Sequence, residues 1–165
     1  MPSAFRFPRR GACLAPLVAL LLAGCDYAVP LTPAPTRPVQ PALLGDWVEI
    51  TADAERDRMG IRRLDDSTYL VVLNGDAYRV HHSDLGDDAF VSVQDLNGKE
   101  RKYSWYRWSL SSDGTQLTLE GVDDRVVPDE ARDPAAARRL LEAKRGQPSW
   151  LEEPVRFVRG SRQFR

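Results

Sequence analysis

From Gly45 onward the chain is punctuated by turn signals at short, regular intervals. Asp65-Asp66-Ser67, Asn74-Gly75, Asn97-Gly98 and Ser112-Asp113-Gly114 each close one short run of β-forming residues and open another. Asn-Gly tolerates φ > 0 at both positions, so it favours two-residue hairpins. Runs this short, linked by turns this tight, leave little room for crossover helices and favour an antiparallel meander. The expected strands are Asp46–Thr51, Met59–Leu64, Thr68–Leu73, Ala77–Ser83, Ala89–Leu96, Arg101–Leu110, Thr115–Glu120 and Pro154–Arg159.

One stretch breaks the pattern. Asp133 can N-cap a helix, Pro134 suits its first position and Gly146 its C′ position. At 100° per residue Ala136, Ala137, Leu140, Leu141 and Ala143 share one face, which predicts a short amphipathic helix near 134–145. A flat meander would leave one face and two edges uncovered. Rolling it into a small up-and-down barrel removes both problems. The alternative is an open antiparallel sheet with the helix packed on it.

The N-terminus constrains location. Met1–Arg10 carries Arg6, Arg9 and Arg10 and no acid, and Gly11–Ala23 is an apolar run of 13 residues. That is the layout of a secretory signal, and it falls short of the ~20 residues needed to span a bilayer. Removing residues 1–24 leaves 20 basic and 24 acidic residues, a net charge of −4. A mildly acidic, exported chain is a poor candidate for nucleic-acid binding. Between residues 27 and 41 lie Pro30, Pro33, Pro35, Pro38 and Pro41. Proline fixes φ and lacks an N–H, so residues 25–42 read as an extended linker. Roughly 15 such residues reach some 40 Å, enough for a stalk. Residues 43–165 then form the folded domain.

Leu22-Ala23-Gly24-Cys25 resembles the bacterial lipobox. The resemblance implies cleavage before Cys25, acylation of that cysteine, and a Gram-negative envelope location facing the periplasm. Asp26 directly after it is similar to the inner-membrane retention signal of enteric bacteria; outer-membrane placement is the alternative. Cys13 would leave with the signal, so no free thiol would remain for a disulfide or a nucleophile.

Gly45-Asp46-Trp47 resembles the Gly-x-Trp opening of lipocalin-type barrels, in which a last-strand arginine lies over the tryptophan. That implies a barrel-closing pair of Trp47 with Arg159, or with Arg156. Arg107-Trp108-Ser109-Leu110, the following Asp-Gly turn and Glu153-Pro154-x-x-Phe157-x-Arg159 are similar to uncharacterised bacterial lipocalin-like proteins. The resemblance implies a fold and no activity.

Candidate sites are few. Tyr103, Trp105, Tyr106 and Trp108 crowd one strand, with Tyr103, Trp105 and Arg107 on one face and Tyr106 and Trp108 on the other. One face would pack the core; the other would line a ligand cavity, meet a partner or lie under the helix. Tyr103, Trp105 and Arg107 are the ligand or partner candidates, and an inward Arg107 would require a carboxylate or an anionic ligand. His81 and His82 are strand neighbours on opposite faces and cannot chelate one ion together. Asp84, Asp87 and Asp88 lack EF-hand spacing, and Asp123, Asp124, Asp129 and Glu130 form a second acidic loop. No metal or cofactor is expected. There is no Gly-x-Ser-x-Gly, phosphate loop or dinucleotide fingerprint, and Ser83-Asp84 beside His82 lacks triad geometry. The chain reads as a binding module rather than an enzyme. A periplasmic protein partner, as for an inhibitor, immunity or envelope-accessory domain, is slightly favoured because the domain is short. A carrier of a small hydrophobic ligand is the alternative.

Overall fold

Hairpin follows hairpin until the last strand meets the first. The computed structural model describes residues 27–52, 56–123 and 133–160. The strands are β1 (Gly45–Glu49), β2 (Arg58–Arg63), β3 (Thr68–Leu73), β4 (Asp76–His82), β5 (Phe90–Asp95), β6 (Tyr103–Leu110), β7 (Gln116–Gly121) and β8 (Val155–Arg159). All neighbours are antiparallel, and β8 pairs with β1 through Trp47↔Arg159 and Glu49↔Phe157 to close an eight-stranded barrel. The open sheet is therefore not formed.

The barrel has two distinct ends. We call lower the end holding Gly45, Arg63, Thr68, His82, Phe90, Leu110, Gln116 and Arg159, which the strand registers bring together. The upper end holds Leu73, Asp95, Tyr103, Gly121 and Val155. Alternation along each strand sends Trp47, Ile61, Val71, Val80, Trp108, Leu117 and Phe157 into one buried cluster inside the barrel.

Asn74-Gly75 forms the expected tight turn, with φ of 52° and 102°. Asn97-Gly98 does not. β5 ends at Asp95 and β6 starts at Tyr103, so the connection is a longer loop. The Asn97 amide instead brackets Ala77, accepting from its N–H at 3.0 Å and donating to its carbonyl at 3.1 Å. An asparagine amide that mimics a strand neighbour is as good a use of that residue as a turn.

The helix α1 (Pro134–Lys144) is capped by Asp133, whose side chain accepts from Ala135 N–H at 3.1 Å. Its buried face is narrower than expected: Ala137 and Leu141 are buried, whereas Leu140 is exposed. It lies on the outside of the barrel and joins a second apolar cluster of Tyr27, Leu31, Leu85, Phe90, Trp105, Val122 and Trp150.

Two members of that cluster belong to the expected linker. Residues 27–44 are not a free stalk. Tyr27 and Tyr103 exchange backbone hydrogen bonds of 2.7 and 2.8 Å at the upper end. The chain then runs down the outer wall: Leu31 N–H donates to Ser92 Oγ (2.9 Å), Thr36 N–H to the His82 carbonyl (2.9 Å) and Val39 N–H to the Asp66 carbonyl (2.9 Å). It ends in a 3-10 turn, Pro41–Leu43, under the lower end. The prolines keep the segment extended, but Tyr27, Leu31, Val39 and Leu43 between them are all buried. Burying an apolar side chain of this size is worth about 1.5–3 kcal/mol, which outweighs the freedom of a loose tether. The proposed signal segment, Cys25 and Asp26 lie outside the described residues, as do Asp124, Asp129 and Glu130.

Candidate functional site

The lower end is shut. Arg159 lies 4.6 Å from the Trp47 ring centroid, and Trp47 Nε1–H donates to the Leu43 carbonyl at 3.0 Å. The Arg159 guanidinium also donates to the carbonyls of Leu44 (2.9 Å), Ala42 (2.6 Å) and Gly114 (3.2 Å). One planar fork thus ties three chain segments together across the barrel floor. Gly45, with φ of 139°, makes room for it: a Cβ there would sit 2.9 Å from Arg159 Nη1. Arg156, the other candidate, is exposed on the outer face.

Above that floor the barrel is hollow. A cavity of about 370 Å³ is lined by Met59, Tyr69, Val80, Tyr106, Trp108 and Phe157 among others, nearly all apolar. Its remaining lining includes half-buried Asp57 and exposed Glu152 and Glu153, which stand at the upper end and mark the mouth. An apolar hollow with few polar groups is the ordinary form of a small-molecule site.

The aromatic strand divides as alternation requires, with Tyr103, Trp105 and Arg107 on one face and Tyr106 and Trp108 on the other. Tyr106 and Trp108 line the cavity; the other three face outward. Trp105 is 1% exposed because Tyr27 stacks on it, with ring centroids 3.7 Å apart and planes 9° from parallel. Its Nε1–H donates to the Val29 carbonyl at 3.2 Å. Arg107 grips Glu120 on the neighbouring strand through two hydrogen bonds of 2.9 and 2.8 Å and lies 5.6 Å from the Trp150 ring. These residues hold the N-terminal segment and the α1 region to the barrel wall. The signal that separates the two aromatic pairs is the apolar spacing of Tyr27 and Leu31 within the proline-rich stretch.

No protein-family model, curated protein or solved structure matches this chain. Its site is therefore read from geometry alone.

His82 ends β4 at the lower end of the barrel. It is fully buried, and its Nε2 lies 2.7 Å from the Tyr69 hydroxyl. That hydroxyl also accepts from Gln40 N–H at 2.7 Å, so one tyrosine oxygen links the N-terminal segment to the buried imidazole. Burial pulls the His82 pKa down to about 4, reinforced by the Arg37 charge and opposed by Asp84, so the ring is neutral. His81 points outward, its Nε2 3.3 Å from the Thr32 carbonyl, as expected of a strand neighbour.

Asp84 and Asp87 lie at the lower end and Asp123 at the upper. Asp84 is engaged by Arg37 at 2.6 Å and Asp88 by Arg145 at 2.6 Å, while Asp123 is buried. Among the described residues no three His, Cys, Asp or Glu side chains gather as a metal set, and no helix is long and apolar enough to cross a membrane.

Proposed function

We propose that this chain is a lipid-anchored, periplasm-facing envelope protein that acts by binding a small apolar ligand inside its barrel. The observation that carries the reading is the apolar cavity of about 370 Å³, shut below by Trp47 and Arg159. The short domain gave reason to favour a protein-binding role, on the ground that little space would remain inside; the hollow removes that ground.

The proposed anchor adds an orientation. Tyr27 is fixed at the upper end beside Tyr103. Cys25 is two residues earlier, and consecutive Cα atoms are 3.80 Å apart, so its Cα lies within about 7.6 Å of that of Tyr27. Acyl chains on Cys25 would therefore hold the mouth end of the barrel toward the bilayer, where apolar ligands are most concentrated. Asp26 favours the inner membrane.

The neutral, apolar fluorophore N-phenyl-1-naphthylamine tests the cavity, using full-length Cys25→Ser protein. We expect saturable fluorescence enhancement that Val80→Phe, which fills the cavity from β4, suppresses. Absence of uptake, or uptake unaffected by the filling, would overturn the reading. Palmitate labelling tests the anchor: label should be lost in Cys25→Ser and retained in the parent. In acylated protein reconstituted with headgroup spin-labelled lipid, a probe at Asn74 on the upper end should be quenched more than one at Asp113 on the lower.

A further inference from the structure

The strands alone do not build the floor of the hollow. Leu43, in the 3-10 turn that ends the docked N-terminal segment, is buried and lines the cavity at its lower end. The other described lining residues outside the strands, Asp57, Glu152 and Glu153, stand at the upper end. The backbone around Leu43 is pinned. Arg159 donates to the Ala42 and Leu44 carbonyls, Trp47 Nε1–H to the Leu43 carbonyl, and Gln40 N–H to the Tyr69 hydroxyl. The Leu43 side chain is thereby held in place under the hollow, in the same apolar cluster as Val39 and Trp47.

The lining also differs from end to end. It climbs β3 from Tyr69 to Leu73 and β7 from Leu117 to Gly121, roughly 13 Å along the strands at ~3.3 Å per residue. Its charged side chains are the three carboxylates at the top, and no lysine or arginine is among the described lining residues. At the bottom the Tyr69 hydroxyl is already engaged by Gln40 and His82. A polar head buried there would lose water and gain no partner, whereas at the top it keeps both water and acceptors. A volume of about 370 Å³ lies near the low end for ligand sites, so the hollow takes one small molecule.

Resting on the reading that the barrel binds an apolar ligand, we propose that Leu43 sets the length of that ligand. The ligand is a single-chain amphiphile that lies tail-down. The end of its alkyl chain rests on Leu43, and a head that donates hydrogen bonds, such as a hydroxyl, stands among Asp57, Glu152 and Glu153. The N-terminal segment then has a part in the site itself: one of its residues is the stop against which chain length is read.

The test uses straight-chain 1-alkanols of increasing length as competitors of the naphthylamine probe, in the full-length Cys25→Ser background. Affinity should rise roughly fourfold per added methylene and then level off, once further carbons remain outside in water. Leu43→Ala deepens the floor and should move that limit up by about two carbons. Leu43→Val, the milder change, should move it by about one if the alanine variant does not fold. Leu73→Ala enlarges the hollow at its upper end and should leave the limit in place. In Glu153→Gln the preference for decan-1-ol over decanoate should fall about twofold, as loss of one exposed charge beside the head predicts. If the probe binds but neither Leu43 variant moves the limit, or Leu73→Ala moves it equally, the stop is wrong and the hollow binder stands. An unchanged preference in Glu153→Gln would overturn the tail-down direction. If the probe binds and no alkanol displaces it, the amphiphile class falls. If the probe itself does not bind, the binding reading falls as well.

Discussion

Replacing Tyr27 by alanine is expected to destabilise the whole barrel, although Tyr27 lies in a proline-rich stretch ahead of the first strand. The side chain has no exposed surface and stacks on Trp105 at 3.7 Å. An aromatic residue buries about 150–250 Å², and truncation to alanine returns roughly 120 Å² of that to water. At ~25 cal/mol per Å² this is about 3 kcal/mol, with a further ~0.5–1.5 kcal/mol from the stacked pair. Urea unfolding of the full-length Cys25→Ser protein measures the difference. With a slope near 2 kcal/mol/M, the midpoint should fall by about 1.75–2.25 M at unchanged slope. The double change with Trp105→Ala should cost less than the sum of the two single changes, because both remove the same contact. A shift under about 0.5 kcal/mol for Tyr27→Ala would mean that the segment is a loose tether after all, and the orientation argued from it would go too.

Three further outcomes follow from particular contacts. Arg159→Lys should lower stability by about 1–2 kcal/mol in thermal unfolding, since an ammonium keeps the charge but cannot reach the Ala42, Leu44 and Gly114 carbonyls together. Stability should fall between about pH 6.5 and pH 4. His82 has a folded pKa depressed to about 4, so the unfolded chain takes up its proton first and folding weakens as pH drops. His81, whose pKa burial also lowers, adds to the slope, and His82→Gln should flatten most of it. Asp65 and Asp113, held near 2 chiefly by the Thr68 and Ser111 hydroxyls respectively, act only at lower pH, which separates the two windows. Finally, Trp105→Ala should leave affinity for N-phenyl-1-naphthylamine within about twofold in protein that remains folded, because Trp105 faces the wall and not the hollow.

The barrel was legible because its causes are local. Asn74-Gly75 and Asp113-Gly114 set turns, period-two alternation set faces, and Gly45-Asp46-Trp47 with Arg159 announced the closure that the structure displays. What the chain did not disclose depends on which face of a two-faced strand meets which neighbour. Tyr103-Trp105 and Tyr106-Trp108 are indistinguishable by composition, and alternation separates them without saying which pair is inside. The answer lies in Tyr27 and Leu31, two apolar residues of the proline-rich stretch that pack with Trp105 on the outer wall. Asn97-Gly98 failed for a related reason: its side chain had a better use beside Ala77 than its backbone had in a turn.

The docked segment would connect the proposed anchor to the cavity. A true stalk would let the barrel tumble freely and make the position of its mouth irrelevant to the membrane. The segment instead runs from Tyr103 at the upper end to Tyr69 and Trp47 at the floor, touching β6, β5, β4 and the closing turn on the way. Its first described residue holds the end that would approach lipid, and its last ones seal the opposite end. An acylated Cys25 would then impose one direction on a hollow barrel, and entry of an apolar ligand from the bilayer side follows from that direction. Inserting a flexible Gly-Ser spacer between Asp26 and Tyr27 would separate these roles. Probe binding in solution should be unchanged, whereas the difference in lipid quenching between probes at Asn74 and Asp113 should collapse. Equal quenching before the insertion would show that the docked segment does not orient the barrel at all.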